Sequence, residues 1–173
     1  MLLIKDRGGA EVSEVLDLNE IYEKIKSERG AVASIYTAFE DFPFGVRLHY
    51  YFYKGLMLTD QLPLSRHERE LLAYEVSVAN QCPYCIAHHK NAFDNFNSHE
   101  LEASKVEVLK KLAWSLTKEP WRARLMQNDF LAAGYNRAQW QHAVMVASYF
   151  NFSNRCAHGM GIEVENNYEA TCR

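Results

Sequence analysis

Cys82 and Cys85 stand two residues apart, with Pro83 and Tyr84 between them and His88 and His89 just beyond. Proline suits the first position of a helix, so a helix that begins at Cys82 puts the two sulfurs one turn apart. That spacing fits a dithiol that closes to a disulfide and reopens. An unperturbed cysteine has a pKa of about 8.5, so only a small fraction is thiolate at neutral pH. A helix N-terminus stabilises an anion by about 0.3–1 kcal/mol, well under one pKa unit. A second group must therefore take the proton. Histidines three and four residues after Cys85 lie on its helix face, and a neighbouring imidazole activates a thiol in this way.

Glu70 enters through geometry. The twelve residues from Glu70 to Cys82 rise about 18 Å in a straight helix, which rules out direct contact. In an antiparallel hairpin turning near Gln81, the level of Glu70 falls close to that of His89. A carboxylate there would orient or charge the imidazole, and the imidazole would serve Cys85. Tyr74, Ser77 and Gln81 follow Glu70 at helical spacing as a narrow polar stripe flanked by Leu71, Leu72, Val76 and Ala79. The plainer reading of such a stripe is a solvent-facing surface. The candidate site is therefore Cys85, Cys82, His89 and Glu70, with His88, Tyr84 and Tyr74 in support.

The elements that must position these residues read as helical throughout. Leu18, Ile21, Tyr22 and Ile25 recur at helical spacing within Asp17 to Glu28, and Gly30 stops them. An apolar stretch, Val32 to Phe39, ends near Phe42-Pro43. Phe44 to Leu58 is apolar on most sides and reads as a buried helix, either plain core or the lining of a substrate pocket. Ser65 and Glu68 have the spacing of a capping box, which predicts a helix to about Asn80. The cysteine helix should reach Phe93 to Phe96, with a break at Asn97-Ser98-His99. Further helices are expected over Ala103 to Leu116, Trp121 to Leu131 and Arg137 to Met160. No strand-like alternation competes, so the expected fold class is all-α, a compact bundle of seven or eight helices in one domain spanning 1–173.

Composition narrows the function. Hydrophobic residues make up 48% of the 173, enough for one packed core. A net charge of −3 argues against nucleic acid or an anionic membrane as partner. The run from Lys105 to Arg124 mixes basic, acidic and apolar residues and reads as a solvated helix face. Met1-Leu2-Leu3-Ile4 ends at Lys5-Asp6-Arg7, short of a secretory core, and no apolar run is long enough to span a bilayer. A cytoplasmic location is expected, where a CxxC is more often catalytic or metal-binding than a structural disulfide. Cys156 and Cys172 are isolated in sequence and read as a small buried hydrophobe and a tail thiol.

The stretch Leu64-Ser65-Arg66-His67-Glu68-Arg69-Glu70, continued by Ala79-Asn80-Gln81-Cys82-Pro83-Tyr84-Cys85-Ile86-Ala87-His88-His89, resembles the signature of the alkylhydroperoxidase AhpD-like proteins. These belong to the carboxymuconolactone decarboxylase superfamily, and the likeness is greatest to its peroxidase-related branch. Tyr149-Phe150-Asn151, Asn154-Arg155 and Gly161-Ile162-Glu163 also resemble that branch. The resemblance implies an all-helical fold assembled as a homo-oligomer, a trimer or hexamer. It also implies a peroxidase cycle on hydrogen peroxide or organic hydroperoxides without a cofactor. In that cycle Cys85 matches the peroxidatic cysteine, which is oxidised to a sulfenic acid. Cys82 matches the resolving partner that closes the disulfide. Glu70 and His89 match the proton relay, and a thiol or lipoyl-bearing protein supplies the electrons. AhpD proteins proper carry a histidine just before the second cysteine. Here that position is Tyr84, and His88 is the candidate replacement.

Two other readings remain open on the residues alone. Cys82, Cys85 and His88 or His89 could hold zinc, although ligands crowded into two turns of one helix surround a tetrahedral ion poorly. Alternatively the chain is a helical oligomeric scaffold or small-molecule-binding protein with an idle redox site, its pocket near Tyr50 to Tyr53.

Overall fold

A computed structural model of the chain describes residues 17–96 and 101–171. They form eight α-helices and no strand, in an all-α bundle. The helices are α1 (Leu18–Arg29), α2 (Ser34–Thr37), α3 (Pro43–Tyr53), α4 (Arg66–Asn80), α5 (Pro83–Asn95), α6 (Ala103–Lys118), α7 (Gln127–Ala132) and α8 (Arg137–Gly159). The expected break at Asn97-Ser98-His99 lies outside the described residues, as does Cys172.

α4 is the central post, packed against α5, α6 and α8. Its start follows from the capping box: Ser65 Oγ accepts the Glu68 N–H, and the Glu68 carboxylate accepts the Ser65 N–H at 2.7 Å. Such a cap stabilises a helix by about 1 kcal/mol. The other carboxylate oxygen of Glu68 accepts the Tyr135 hydroxyl at 2.7 Å, which ties the cap to the turn before α8. Leu71, Leu72, Ala73 and Val76 of α4 then pack with Leu109 and Leu112 of α6 and Val146 and Phe150 of α8. A second apolar cluster joins Ile21 and Ile25 of α1, Val46 and Tyr50 of α3 and both cysteines of the CxxC.

Three expectations change. Val32 to Phe39 yields only the four-residue α2, because turns take over after Thr37. Phe44 to Leu58 divides into α3 and a π-helical turn, Lys54–Leu58, in which the Thr59 N–H reaches back to the Lys54 carbonyl. Nor is that segment buried on most sides. Val46, His49, Tyr50 and Tyr53 are buried, but Leu48, Tyr51 and Phe52 are exposed. Trp121 to Leu131 divides likewise, into a 3₁₀ segment (Pro120–Met126) and α7. No helix among the described residues is long and apolar enough to cross a membrane.

Candidate functional site

The turn between α4 and α5 is two residues long. Gln81 takes the left-handed conformation (φ 56°), and Cys82 follows as the N-cap of α5, with Pro83 at its first turn. The Cys82 N–H is held by the Ser77 carbonyl at 3.1 Å, and the Cys82 carbonyl accepts the Ile86 N–H at 2.9 Å. Both cysteines are thus fixed at the N-terminus of α5, with their sulfurs 2.9 Å apart and both side chains buried.

The hairpin brings Glu70 to His89 within a single chain. His89 Nδ1 donates to Glu70 Oε2 at 2.8 Å, and Arg66 Nε, one turn earlier on α4, donates to Glu70 Oε1 at 2.7 Å. Glu70 is fully buried. Burial alone would raise its pKa, but the hydrogen bond from His89 and the charge of Arg66 outweigh it and hold the carboxyl at about 2. Burial lowers the pKa of His89, and the Glu70 carboxylate only partly offsets this. A neutral imidazole that gives its Nδ1 proton to a carboxylate leaves Nε2 as a bare base. Nε2 has no hydrogen-bond partner among the described residues, and the ring rests edge-on against Phe150. Arg66, whose guanidinium also lies over the Phe96 ring, is the member that sequence reasoning missed. Its signal was present in the i,i+4 spacing to Glu70.

A cavity of about 50 Å³ opens onto this arrangement, lined by Cys85, His89, His88 and Tyr84 from α5 and by Tyr53 and Tyr149 among its aromatic walls. A water occupies roughly 10–15 Å³ by the same measure, so the space admits a few waters or a small solute. Cys82 does not line it. The pocket proposed near Tyr50 to Tyr53 is realised only through Tyr53, while the Tyr50 hydroxyl turns away to the Glu28 carboxylate.

The supporting residues part company. Tyr84 directs its hydroxyl to accept the Ile35 N–H at 3.1 Å, and burial raises its pKa, so it pins α5 to α2. His88 lies with its ring 4.4 Å from that of Tyr84. Its Nε2 is 3.1 Å from Glu165 Oε2 and its Nδ1 3.1 Å from Thr171 Oγ1, both in the C-terminal segment. Arg29 donates through Nε and Nη2 to the Thr171 carbonyl, which fastens the same segment over the cavity. Tyr74 is half-buried on α4 and does not line the cavity. The polar stripe divides: Ser77 is fully buried and Tyr74 half-buried, while Gln81 faces solvent as the plainer reading has it. No local pattern announces Glu165, Thr171 or Arg29, which reach the site from distant parts of the chain.

The two thiols titrate as a unit. The hydrogen bond between the sulfurs makes the first ionisation easier and the second much harder, while burial raises both. His158 and His88 favour charge on Cys82, and the Asn154 side chain favours it on Cys85. Cys156 is not isolated in space: it packs against the cluster that contains Cys82 and Cys85, and burial raises its pKa. Among the described residues no three of His, Cys, Asp and Glu converge as a metal site would require.

Residues 50–114 match the model of the carboxymuconolactone decarboxylase family. No curated protein matches the sequence. Among solved structures, the chain is similar to an alkylhydroperoxidase AhpD core, a peroxidase-related protein of Ralstonia eutropha JMP134. That match has 19% identity and a TM-score of 0.76 over 91% of this chain and 90% of the other. A peroxidase-related protein of Silicibacter sp. TM1040 has 23% identity and a TM-score of 0.73 over 93% and 92%. The debrominase Bmp8 has 14% identity and a TM-score of 0.63 over 94% of each chain.

Proposed function

We propose that the chain, whose residues 50–114 match the carboxymuconolactone decarboxylase family and whose fold is that of two peroxidase-related proteins, is an AhpD-like thiol-dependent peroxidase acting through Cys85 and Cys82. The observation that carries the reading is the shared cavity: Cys85 and His89 line it together, and His89 is bound through its far nitrogen to Glu70. His89 Nε2 takes the proton of Cys85. The thiolate attacks one oxygen of the peroxide, the O–O bond breaks, and the proton passes to the departing alkoxide or hydroxide. The sulfenic acid formed on Cys85 then meets the adjacent Cys82 thiol, which displaces water and closes the disulfide. A dithiol on a thiol- or lipoyl-bearing protein would reopen it. The small cavity favours hydrogen peroxide and short alkyl hydroperoxides. The proposal includes self-association, which the exposed apolar side chains Leu48 and Phe52 of α3 and Met145 and Phe152 of α8 would favour.

Stopped-flow consumption of hydrogen peroxide and tert-butyl hydroperoxide by the reduced protein, with thiols counted before and after, tests the reading. Rapid loss of two thiols per chain is expected. Slow loss, indifferent to the peroxide offered, would favour the scaffold with an idle site.

A further inference from the structure

Arg29 brings a guanidinium to the wall of the cavity that Cys85 also lines, and no carboxylate among the described residues pairs with it. Its side chain is only 8% exposed. Nε and Nη2 donate to the Thr171 carbonyl, and the Tyr53 ring lies beneath, its centroid 4.6 Å from Cζ. A carbonyl and a phenol are both neutral, so neither offsets the charge. The acidic groups of the neighbouring elements are committed elsewhere. Both oxygens of Glu70 are taken, by Arg66 and His89. Glu28, next to Arg29 on α1, binds the Tyr50 hydroxyl and the ammonium groups of Lys54 and Lys24. Glu165 accepts the Ser34 N–H and meets His88. No aspartate or glutamate lines the cavity among the described residues. Buried charges are ordinarily paired, because losing water without gaining a counterion is costly. A second polar group stands at the same wall. Tyr36, only 4% exposed, lines the cavity too, and its hydroxyl makes no hydrogen bond to a described residue.

We infer that this cavity binds a small organic carboxylate, with Arg29 as the residue that selects the negative charge. Two of the five guanidinium N–H groups serve Thr171, which leaves others to receive an anion. Bonds from a guanidinium to a carboxylate are among the stronger ones, and the Tyr36 hydroxyl is a further donor. One guanidinium balances one negative charge, and a space of about 50 Å³ admits a short molecule rather than a lipid chain. Because Arg29 and Cys85 line the same space, a charged end held at Arg29 brings the other end of a short molecule toward the sulfur. The inference deepens the peroxidase reading and rests on it for its chemistry: the preferred substrate is then a short hydroperoxide that bears a carboxylate. Binding of the anion needs no peroxide, so the two readings stand or fail separately.

The experiment compares alkylation of Cys85 by iodoacetate and by iodoacetamide, near-isosteres that differ by one negative charge, in the reduced protein at fixed ionic strength. The modified cysteine is located by peptide mass spectrometry, and the ratio of the two rates cancels any change in the reactivity of the thiol itself. Arg29→Gln should lower the iodoacetate-to-iodoacetamide ratio about tenfold. Arg29→Lys keeps the charge and should retain most of the ratio. An unchanged ratio in Arg29→Gln, or equal losses in the two variants, would reduce Arg29 to a clasp for the C-terminal segment and overturn the proposal. A second measurement needs no substitution. Propionate should slow the alkylation of Cys85 by iodoacetamide in a saturable way, and propionamide should not. No protection, or equal protection by the amide, would also overturn the proposal.

Discussion

At the scale of the residue, the account turns on where one proton sits. A buried neutral imidazole can hold its single N–H on either nitrogen, and only the Nδ1–H form leaves Nε2 free as a base. Glu70 selects that form because a carboxylate accepts and cannot donate. Glu70→Gln keeps the shape and the contact with Arg66, but its amide can donate to Nδ1 and drive the proton onto Nε2. Peroxide consumption by Glu70→Gln should fall about a hundredfold, the lower end of what general-base catalysis supplies, with an unchanged far-ultraviolet circular dichroism spectrum. Stopped-flow kinetics beside the parent protein checks this. A loss of only a few-fold would mean that Glu70 serves the fold rather than His89. This pairing was legible in the sequence, since hairpin arithmetic around Gln81 carries Glu70 to the level of His89. The tie from Asn80 to Asn151 and Asn154 was not, because 71 and 74 positions separate them and nothing local marks which side chains of α8 meet α4.

At the scale of the element, legibility followed the strength of local signals. The capping box at Ser65 and the proline after Cys82 fixed the starts of α4 and α5: the box satisfies orphan backbone N–H groups from side chains close by, and the proline has no N–H to leave unpaired. The division of Phe44 to Leu58 into α3 and a π-helical turn left no mark in the apolar pattern, which tolerates one extra residue per turn. Its exposed side was equally hidden, because hydrophobicity alone does not say which aromatic residues find a neighbour. The buried side of α3 has a consequence of its own. His49 stands among the rings of Tyr36, Tyr149 and Phe152, and burial lowers its pKa to about 4. Its folded value lies below the unfolded value near 6.5, so the unfolded chain binds the extra proton and stability falls as pH drops from about 6.5 to 4. The loss from this residue reaches on the order of 3 kcal/mol at the acid end. His49→Phe keeps a ring in place and removes the ionisation, so its melting temperature should fall less steeply than that of the parent between pH 7 and 4.5. His89 and His142, also lowered by burial, should preserve part of the slope. Parallel curves for the two proteins would show that His49 does not remain neutral.

At the scale of the whole molecule, the architecture does not decide the chemistry. The same fold is shared with two peroxidase-related proteins and a debrominase, all at identities that speak for the fold alone. In this chain the groups that could do chemistry meet at the CxxC: α4 and α5 bring the carboxylate, imidazole and thiols, and the segment from Glu165 to Thr171 closes over His88. The central claim is that the cavity offers peroxide the sulfur of Cys85 and withholds that of Cys82. Trapping with dimedone tests it most directly. Cys82→Ser and Cys85→Ser are each treated with one equivalent of hydrogen peroxide, and the adduct is located by peptide mass spectrometry. A sulfenic-acid adduct on Cys85 in Cys82→Ser, with none on Cys82 in Cys85→Ser, is the predicted result. An adduct on Cys82 in Cys85→Ser, with Cys85 unmodified in Cys82→Ser, would contradict it and give the attacking role to the first cysteine.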